Sequence, residues 1–475
     1  MQQFVSARSP FQRSMGKIAS LSLVGLLFCV AGCGAGPDSA ATPTVQAGPQ
    51  TYFAPFVTGT NNDGGILNGS GIYALDDAAG KISQSTFNIA PPQQGPQVIN
   101  AGNLSAAKRG LLDISITANY IPGTTPGSGF VAVAPNSSKQ GFAIELAGQS
   151  GGLVQLPGQP VAPLVAAVQC LNLTDDQPYQ FITIPGALNT SGAPQGGTWS
   201  PTTETAYGSV DISFKGSAVT FKNINQYMLP STGGTKLASA SMIPSGVCGP
   251  TVYGNTITVP GELVIKNPGG AAGQSVPPQA TFGIGSTGLL VEDNGVVLTG
   301  SNAGQYQNVL GAGTGAVGLP KPSSALDTNA LVSAQYLGFI YGGGTFAQST
   351  LKGWSSHLAS FGFSSVPSTC GAVTSGTNTS TSLIYGSDFN QGDPSTSTDG
   401  FGNCDLAIDL GNQDSNGLFT NAKVWLPASY AANPTGASNM FSAVAIAGQL
   451  KGKFALFLLG VDSTQPWAIY LLQSN

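Results

Sequence analysis

Short runs of apolar and β-branched residues, interrupted by glycine, proline or asparagine, dominate this chain from residue 51 to its end. Of the 475 residues, 66 are glycine and 32 are proline, and both residue types disfavour the interior of a helix. Short runs of β-branched and aromatic residues bounded by such turn formers are typical of strands. The pattern predicts an all-β fold with little helix.

The predicted strands are short and spread over the whole body. They include Thr51–Val57, Gly71–Leu75, Leu111–Tyr120, Gly129–Val133, Gly141–Leu146, Tyr179–Ile184, Ser209–Phe214, Val219–Ile224, Thr256–Ile265 and Leu289–Glu292. Lys453–Leu459 and Trp467–Leu472 flank a loop and predict a closing hairpin. One helix is predicted at Ser324–Leu337, with Ser324 as its cap and Asp327 in its first turn.

Two architectures fit a body of roughly 425 residues, which is too long for one β-sandwich. One is a β-propeller-like ring, and the other is a pair of tandem antiparallel β-sandwich or barrel domains. The last predicted strand ends three residues before the terminus, which slightly favours the propeller because that strand would complete its ring. A lipid-facing outer-membrane barrel fits less well, because it needs longer and more regular strands.

Composition also predicts where the body divides. The proline- and glycine-rich segment 267–280 predicts a connection between an N-terminal β region, 51–266, and a C-terminal β region, 281–475. Residues 33–50 have little to bury and predict a flexible linker.

The first 33 residues have the features of an export signal. Arg8, Arg13 and Lys17 precede the apolar stretch Ile18–Gly32, with no acidic residue among them. As a helix this stretch would reach only ~22 Å, short of the ~30 Å hydrocarbon core of a bilayer. A short apolar stretch behind a basic start is typical of a secretory signal rather than of a spanning helix.

The stretch ends in Val30-Ala31-Gly32-Cys33, which resembles the lipobox of bacterial lipoproteins. This resemblance implies that residues 1–32 are removed and that Cys33 is acylated, for example by palmitate. The alternative is an ordinary cleavage site with a cysteine there by chance. In such lipoproteins an aspartate after the cysteine favours the inner membrane, so Gly34 favours the outer membrane, on its periplasmic or surface face. The body, including 306–327 and the closing hairpin, also resembles envelope lipoproteins of soil bacteria, a resemblance that implies no activity.

The charge of the body restricts its partners. Without residues 1–32 the chain has 13 basic and 21 acidic residues, a net charge of −8, whereas a nucleic-acid binder needs basic surface. The predicted partners are the membrane, through the N-terminal lipid, and a glycan or an envelope protein. Candidate residues for contact with a glycan or an envelope protein are Trp199, Trp354, Trp425 and Trp467.

Four cysteines remain once Cys29 is removed and Cys33 is acylated. An even number in an exported chain suggests disulfides. Pairing neighbours in sequence costs the least loop-closure entropy, which favours Cys170–Cys248 and Cys370–Cys404. Buried free thiols are the alternative.

Motifs for catalysis are weak. His357 is the only histidine, so a zinc site built on two or three imidazoles is excluded within one chain, and we interpret His357 as an ordinary strand or loop residue. Gly148-Gln149-Ser150-Gly151-Gly152 matches the spacing of a nucleophile elbow, but no helix can follow it, so a hairpin turn explains it better. We predict no catalytic residue and no cofactor other than a possible calcium ion.

An acidic series stands out in a chain otherwise poor in charge. Within 27 residues lie Asp388, Asp393, Asp399, Asp405, Asp409 and Asp414, interspersed with asparagine and glycine. Calcium prefers oxygen ligands from such loops, and we predict calcium at Asp388, Asp393, Asp405, Asp409 and Asp414. Residues 412–417 resemble the first half of an EF-hand loop, but its twelfth position is Lys423. The alternative is a polar region whose aspartates form turns.

The leading functional hypothesis is a membrane-anchored extracytoplasmic lipoprotein that acts as a non-enzymatic binding or scaffold protein. The alternative is an envelope glycoside hydrolase that uses a pair of carboxylates. Its candidate acids are Asp175-Asp176, Glu292-Asp293 and the acidic series.

Overall fold

The computed structural model describes strands of the body and several of the turns that join them. The described residues are 49–56, 69–86, 97–106, 111–122, 130–133, 140–146, 148–156, 161–166, 176–183, 206–215, 218–228, 235–236, 245–248, 251–253, 257–259, 262–265, 280–285, 287–293, 315–342, 355–361, 383–388, 406–425, 440–461 and 467–474.

The first group of strands closes on itself and is called ring 1 here. Its strands are β1 (Gln50–Phe56), β2 (Gly69–Asp76), β3 (Lys81–Thr86), β4 (Gln97–Ala106), β5 (Leu111–Pro122), β6 (Phe130–Val133), β7 (Gln140–Glu145), β8 (Gly151–Gln155) and β9 (Val161–Ala166). Each strand is antiparallel to its neighbour, β9 returns to pair with β1, and β4 pairs with both β3 and β5. These pairings leave β6 as an extra strand on one edge of β5.

The second group, ring 2, repeats this arrangement. Its strands are β10 (Gln177–Thr183), β11 (Ala206–Lys215), β12 (Ala218–Met228), β13 (Thr235–Lys236), β14 (Ser245–Cys248), β17 (Glu262–Ile265), β18 (Ala280–Ile284), β19 (Leu290–Asp293) and β20 (Gly315–Pro320). The last strand, β20, pairs with the first, β10, and β11 pairs with both β10 and β12. A separate pair consists of β15 (Thr251–Tyr253) and β16 (Ile257–Val259).

The third group, ring 3, is a closed eight-stranded barrel. Its strands are β21 (Tyr336–Gly342), β22 (Ser355–Phe361), β23 (Leu383–Asp388), β24 (Leu406–Asp409), β25 (Phe419–Trp425), β26 (Met440–Leu450), β27 (Lys453–Gly460) and β28 (Trp467–Gln473). The final strand pairs with β21 along its whole length, from Tyr336 opposite Gln473 to Gly342 opposite Trp467. The closing hairpin predicted from the sequence is confirmed by the pairing of β27 with β28.

Successive side chains along the strands of ring 3 point alternately into and out of the barrel, and both of these faces are apolar. Tyr336 and Ile340 point into the barrel, where they join a cluster with Trp467, Ile469 and other buried residues. This interior is filled by side chains, as in other small barrels. The residues between them, such as Leu337 and Phe339, point outward, because successive strand residues face opposite sides.

The outward faces of the three rings share one apolar cluster. It contains Phe53 and Val165 from ring 1, Val317 from ring 2, and Phe339 and Phe457 from ring 3, among other residues. Ring 1 has its own interior cluster, which includes Tyr52, Tyr73 and Leu164. Each ring thus buries apolar residues on both faces of some strands, which explains why runs such as Val161–Ala166 are buried throughout.

The all-β prediction is confirmed, and the architecture is of the barrel type rather than a propeller of blades. A single helix occurs among the described residues, and none there is long and apolar enough to cross a membrane. That helix, α1 (Thr328–Ser333), is shorter than predicted, because Asp327 rather than Ser324 caps it and β21 already begins at Tyr336. Residues 266–279 lie outside the described part, and the strands that flank them, β17 and β18, pair within ring 2, so the two predicted regions share one sheet.

Candidate functional site

The structure describes two of the five predicted calcium ligands in full. Asp409 ends β24 and accepts a hydrogen bond from the Gly411 amide at 3.0 Å. Asp414 accepts two, from the amides of Asn416 and Leu418, both at 2.8 Å through the same oxygen. Asp388 lies in β23 opposite Ala359, but its side chain is outside the described part. So are Asp393, Asp399 and Asp405 entirely, and the calcium prediction is therefore untested.

The loop that resembles half an EF-hand connects two rings. Gln180 in ring 2 donates to the Asn416 carbonyl at 3.3 Å, and Lys321 donates to the Ser415 carbonyl at 3.4 Å. Within the loop, Gln413 donates to the Gly417 carbonyl at 2.8 Å. These carbonyl oxygens already accept hydrogen bonds, so the loop between β24 and β25 holds ring 3 against ring 2. No cluster of three or more metal-binding side chains occurs in the described part of the chain.

The structure describes the candidate glycosidase acids only in part. Asp176 is bridged to Lys222 at 3.0 Å on the surface, and Asp175 is outside the described residues. Glu292 is fully buried, 0% exposed, on the face of β19 opposite to Val291, which belongs to the shared outer cluster. The side chain of Asp293 is not described. Within the described residues these acids form no pair across a cleft.

The structure describes the predicted tryptophan contacts and the single histidine only in part. Trp467 is 1% exposed inside ring 3, so it is not a surface contact, while Trp199 and Trp354 are outside the described part, as is the side chain of Trp425. His357 lies in β22 opposite Ile340, and its side chain is not described.

Cysteine pairing is likewise untested. Cys248 lies in β14, whereas Cys33, Cys170, Cys370 and Cys404 are outside the described residues. The glycine-rich stretch Gly148–Gly152 spans the end of the turn between β7 and β8 and the start of β8, and the two strands are antiparallel neighbours, as the hairpin interpretation predicts.

The structure reveals a polar group that the sequence analysis did not single out, at one end of ring 1. It consists of Tyr52, Asp77, Glu145 and Gln149 and is called the carboxyl cluster here. Tyr52 lies in β1, Asp77 begins the turn after β2, Glu145 ends β7, and Gln149 lies in the turn that follows. Since β1 begins at Gln50 opposite Leu75, this is the end of ring 1 at which the chain enters the body.

The local sequence explains how the two turns that carry Asp77 and Gln149 form. Asp76 accepts a hydrogen bond from the Ala79 amide at 2.9 Å, and Gly80 closes the turn with a φ of 62°. In the second turn Gly148 has a φ of 72° and Gln149 a φ of 51°. A non-glycine residue in this left-handed region is strained, so packing and hydrogen bonds hold Gln149 there.

Hydrogen bonds join the members of the carboxyl cluster. The Tyr52 hydroxyl donates to Glu145 Oε1 at 2.5 Å, and Gln149 Nε2 donates to Asp77 Oδ2 at 3.0 Å. The negative charge of Asp77 also acts on the Glu145 carboxyl group, so the two acids belong to one electrostatic group.

Burial dominates the electrostatics of the cluster. Loss of solvent raises the pKa of Glu145 from its ordinary 4.5 to about 7; the Tyr52 hydrogen bond opposes this rise and the negative charge of Asp77 adds to it. Burial also raises the pKa of Tyr52, and so does the charge of Glu145. Glu145 is therefore a carboxyl group that changes charge near neutral pH, whereas Tyr52 stays a donor.

The cluster lies where the three rings meet. A Cβ on Gly148 would lie 3.7 Å from the Lys451 Nζ in the β26–β27 turn of ring 3. A Cβ on Gly285 of ring 2 would lie 3.1 Å from the Ser150 carbonyl oxygen. The turn that carries Gln149 therefore packs between rings 2 and 3. A change in the geometry of this turn would alter its contacts with both rings.

Two sequence signals pointed to the cluster without identifying it. Glu145 is the only acid in the otherwise neutral run Gly141–Leu146, and Asp76-Asp77 follows an apolar strand. Nothing in the sequence states that these segments, almost 70 residues apart, meet at one end of a ring.

Comparison with known proteins adds little. No protein-family model and no curated protein sequence matches the chain. Two solved structures of transferrin-binding protein B are similar to it. One, a point variant from Haemophilus parasuis Hp5, has 9% identity and a TM-score of 0.20 and covers 90% of this chain and 77% of that one. The other, the isotype 1 protein of serogroup B Neisseria meningitidis, has 11% identity and a TM-score of 0.20, with coverage of 90% and 75%. At these values the likeness says nothing about function.

Proposed function

We propose that this protein is a bacterial lipoprotein whose acylated Cys33 holds a β body outside the cytoplasm, where it acts by binding an envelope protein or a glycan. The observation that carries the proposal is Val30-Ala31-Gly32-Cys33 at the end of a short apolar stretch behind three basic residues. The three-ring body supports it, because antiparallel rings with packed interiors make a rigid scaffold.

Anchoring follows from the chemistry of the lipid. Each buried methylene adds ~0.8 kcal/mol to membrane binding, and stable attachment takes more than one acyl chain. The first strand begins at Gln50, 17 residues after Cys33. At ~3.5 Å per residue, that much chain would reach at most ~60 Å, enough to let the body stand clear of the head groups.

The outer membrane is the proposed location. Gly34 follows Cys33, in place of the aspartate that favours retention in the inner membrane of the lipoproteins that this segment resembles. On either face of the outer membrane, a body with 8% charged residues would rely on its neutral polar side chains for solubility.

Metabolic labelling with a fatty-acid analogue tests the anchor. Wild-type protein and the Cys29→Ala variant should both be labelled and sediment with the outer membrane, because Cys29 leaves with the signal. The Cys33→Ala variant should be unlabelled and released from the membrane. Equal labelling of wild type and Cys33→Ala, or none in either, would overturn the proposal.

A further inference from the structure

We propose that the carboxyl cluster binds one divalent cation of the size of calcium, through the carboxylates of Asp77 and Glu145 and the amide oxygen of Gln149. This site is separate from the acidic series at 388–414. It goes beyond the proposed binding function and does not depend on it.

Two oxygens of the cluster lack a donor among the residues that the structure describes. Asp77 Oδ1 and Gln149 Oε1 are both buried and accept no hydrogen bond. Gln149 is only 7% exposed, and its amide group lies against Asp77, to which Nε2 donates at 3.0 Å. A buried acceptor without a donor costs ~1–3 kcal/mol, and a bound cation would remove that cost for both oxygens at once.

In the described part of the chain, no basic side chain forms an ion pair with the cluster. Among the described residues the only ion pair is Lys222 with Asp176, which lies outside ring 1. Lys451 is near the turn at Gly148, but it is exposed and forms no ion pair with either acid. The negative charge of Asp77 disfavours the charged form of Glu145, and a cation bound between two such carboxylates removes this repulsion.

Ligand chemistry favours calcium among divalent cations. Two carboxylates and one amide supply up to five hard oxygens, and water reaches Asp77 and Glu145, which are half-buried. Calcium takes six to eight oxygens at ~2.3–2.6 Å in flexible geometry, whereas magnesium demands a near-ideal octahedron. These oxygens come from two separate turns and a strand end, an arrangement that suits the more tolerant ion.

Tyr52 is a positioning residue rather than a ligand. Its hydroxyl donates to Glu145 Oε1, which fixes the orientation of the carboxylate and leaves Oε2 for a cation. Hydrogen bonds of this kind to ligating groups tune metal affinity.

Calorimetric titration of calcium chloride into the chelator-treated mature lipoprotein in detergent tests the site. Wild type should bind one calcium ion more tightly than magnesium, and Asp77→Asn and Glu145→Gln should each weaken binding by ~10–100-fold. Asp211→Asn, which removes one acid from ring 2, should leave the affinity unchanged. Absence of calcium binding by wild type, or equal affinity in wild type and both cluster variants, would refute the site; the second result would place calcium elsewhere.

A glycine variant tests the site without the risk that the substitution itself prevents folding. Gln149 has a φ of 51°, a conformation that glycine adopts without strain, so Gln149→Gly should fold at least as well as wild type while losing the amide ligand. Asn223, with a φ of 49°, provides the matched control Asn223→Gly in ring 2. Weaker calcium binding in Gln149→Gly alone supports the proposal, and unchanged binding in Gln149→Gly contradicts it.

Discussion

The hydroxyl of Tyr52 lies 2.5 Å from Glu145 Oε1 and joins two strands that are 93 residues apart in the chain. Tyr52 is fully buried in the interior cluster of ring 1, whereas Glu145 lies at the rim. The pair therefore connects the apolar interior of the ring to the turns at the junction of the three rings. The stability of ring 1 therefore depends on whether Glu145 is charged.

Removing this hydroxyl should cost more when Glu145 is charged. A hydrogen bond to a charged group contributes ~1.5–3 kcal/mol and a neutral one ~0.5–1.5 kcal/mol. Tyr52→Phe should therefore lower the free energy of unfolding more at pH 8.5 than at pH 5, as measured by denaturant unfolding of chelator-treated protein. An equal loss at both pH values would show that Glu145 does not change charge in this range.

Glu145 should make the metal-free protein less stable as the pH rises. Its pKa is raised in the folded state, from 4.5 to about 7, so between these values the folded state holds a proton that the unfolded state has lost. That contribution to stability is complete below pH 4.5 and disappears as the pH rises through 7. The loss should be on the order of 1–2 kcal/mol, because solvent still screens the group.

The matched variant is Glu145→Gln, which keeps the shape and removes the charge. Melting temperatures between pH 4.5 and 8 should fall with pH in wild type and stay flatter in the variant. Parallel curves for the two proteins would assign the pH dependence to other groups.

Gly417 should be intolerant of a side chain. It has a φ of 86°, and a Cβ there would lie 2.0 Å from Gln180 Nε2, which holds the loop to ring 2. Gly417→Ala should cost about 2 kcal/mol, of which about 1 kcal/mol reflects the left-handed backbone and the rest the loss of the Gln180 hydrogen bond to the loop. Gly452→Ala is the control, since Gly452 has a φ of 79° with nothing within 4 Å of its Cβ. Equal melting temperatures for the two variants would show that the Gln180 contact does not restrict position 417.

Tyr470 offers a gain in stability. Its hydroxyl is buried in the shared outer cluster without a hydrogen-bond partner, and burial raises its pKa. Tyr470→Phe should be neutral or stabilising by about 1 kcal/mol, because an unsatisfied buried hydroxyl carries its desolvation cost. Tyr336→Phe should instead destabilise by about 1 kcal/mol, since the Tyr336 hydroxyl donates to the Leu331 carbonyl at 2.6 Å. Thermal unfolding of both variants tests this prediction. A loss of stability in Tyr470→Phe as large as that in Tyr336→Phe would contradict it.

Local sequence patterns predicted individual elements well. The runs Thr51–Val57 and Leu111–Tyr120 correspond to β1 and β5 within two residues, and the closing hairpin forms as predicted. Strand residues and turn formers act on their immediate neighbours, so such signals are readable one segment at a time. The helix was predicted too long because Asp327 rather than Ser324 caps it and β21 already begins at Tyr336.

The candidate site was not predictable in the same way. Asp409 and Asp414 stand in an acid-rich segment, yet their oxygens accept hydrogen bonds from nearby amides. The unpaired oxygens of the carboxyl cluster belong to Asp77 and Gln149, to neither of which the sequence analysis assigned a binding role. Whether an oxygen is free depends on which donors the fold brings to it, and that depends on distant segments.

The sequence by itself determined that the chain is built of short antiparallel strands and predicted its export, because propensities, turns and signal features are local properties. Only the tertiary structure decided that β9, β20 and β28 return to β1, β10 and β21. Ring closure pairs the first and last strands of each group, more than a hundred residues apart in the chain, through backbone hydrogen bonds that carry no side-chain signature. The same closure brings Tyr52, Asp77, Glu145 and Gln149 together, so the carboxyl cluster is a product of topology.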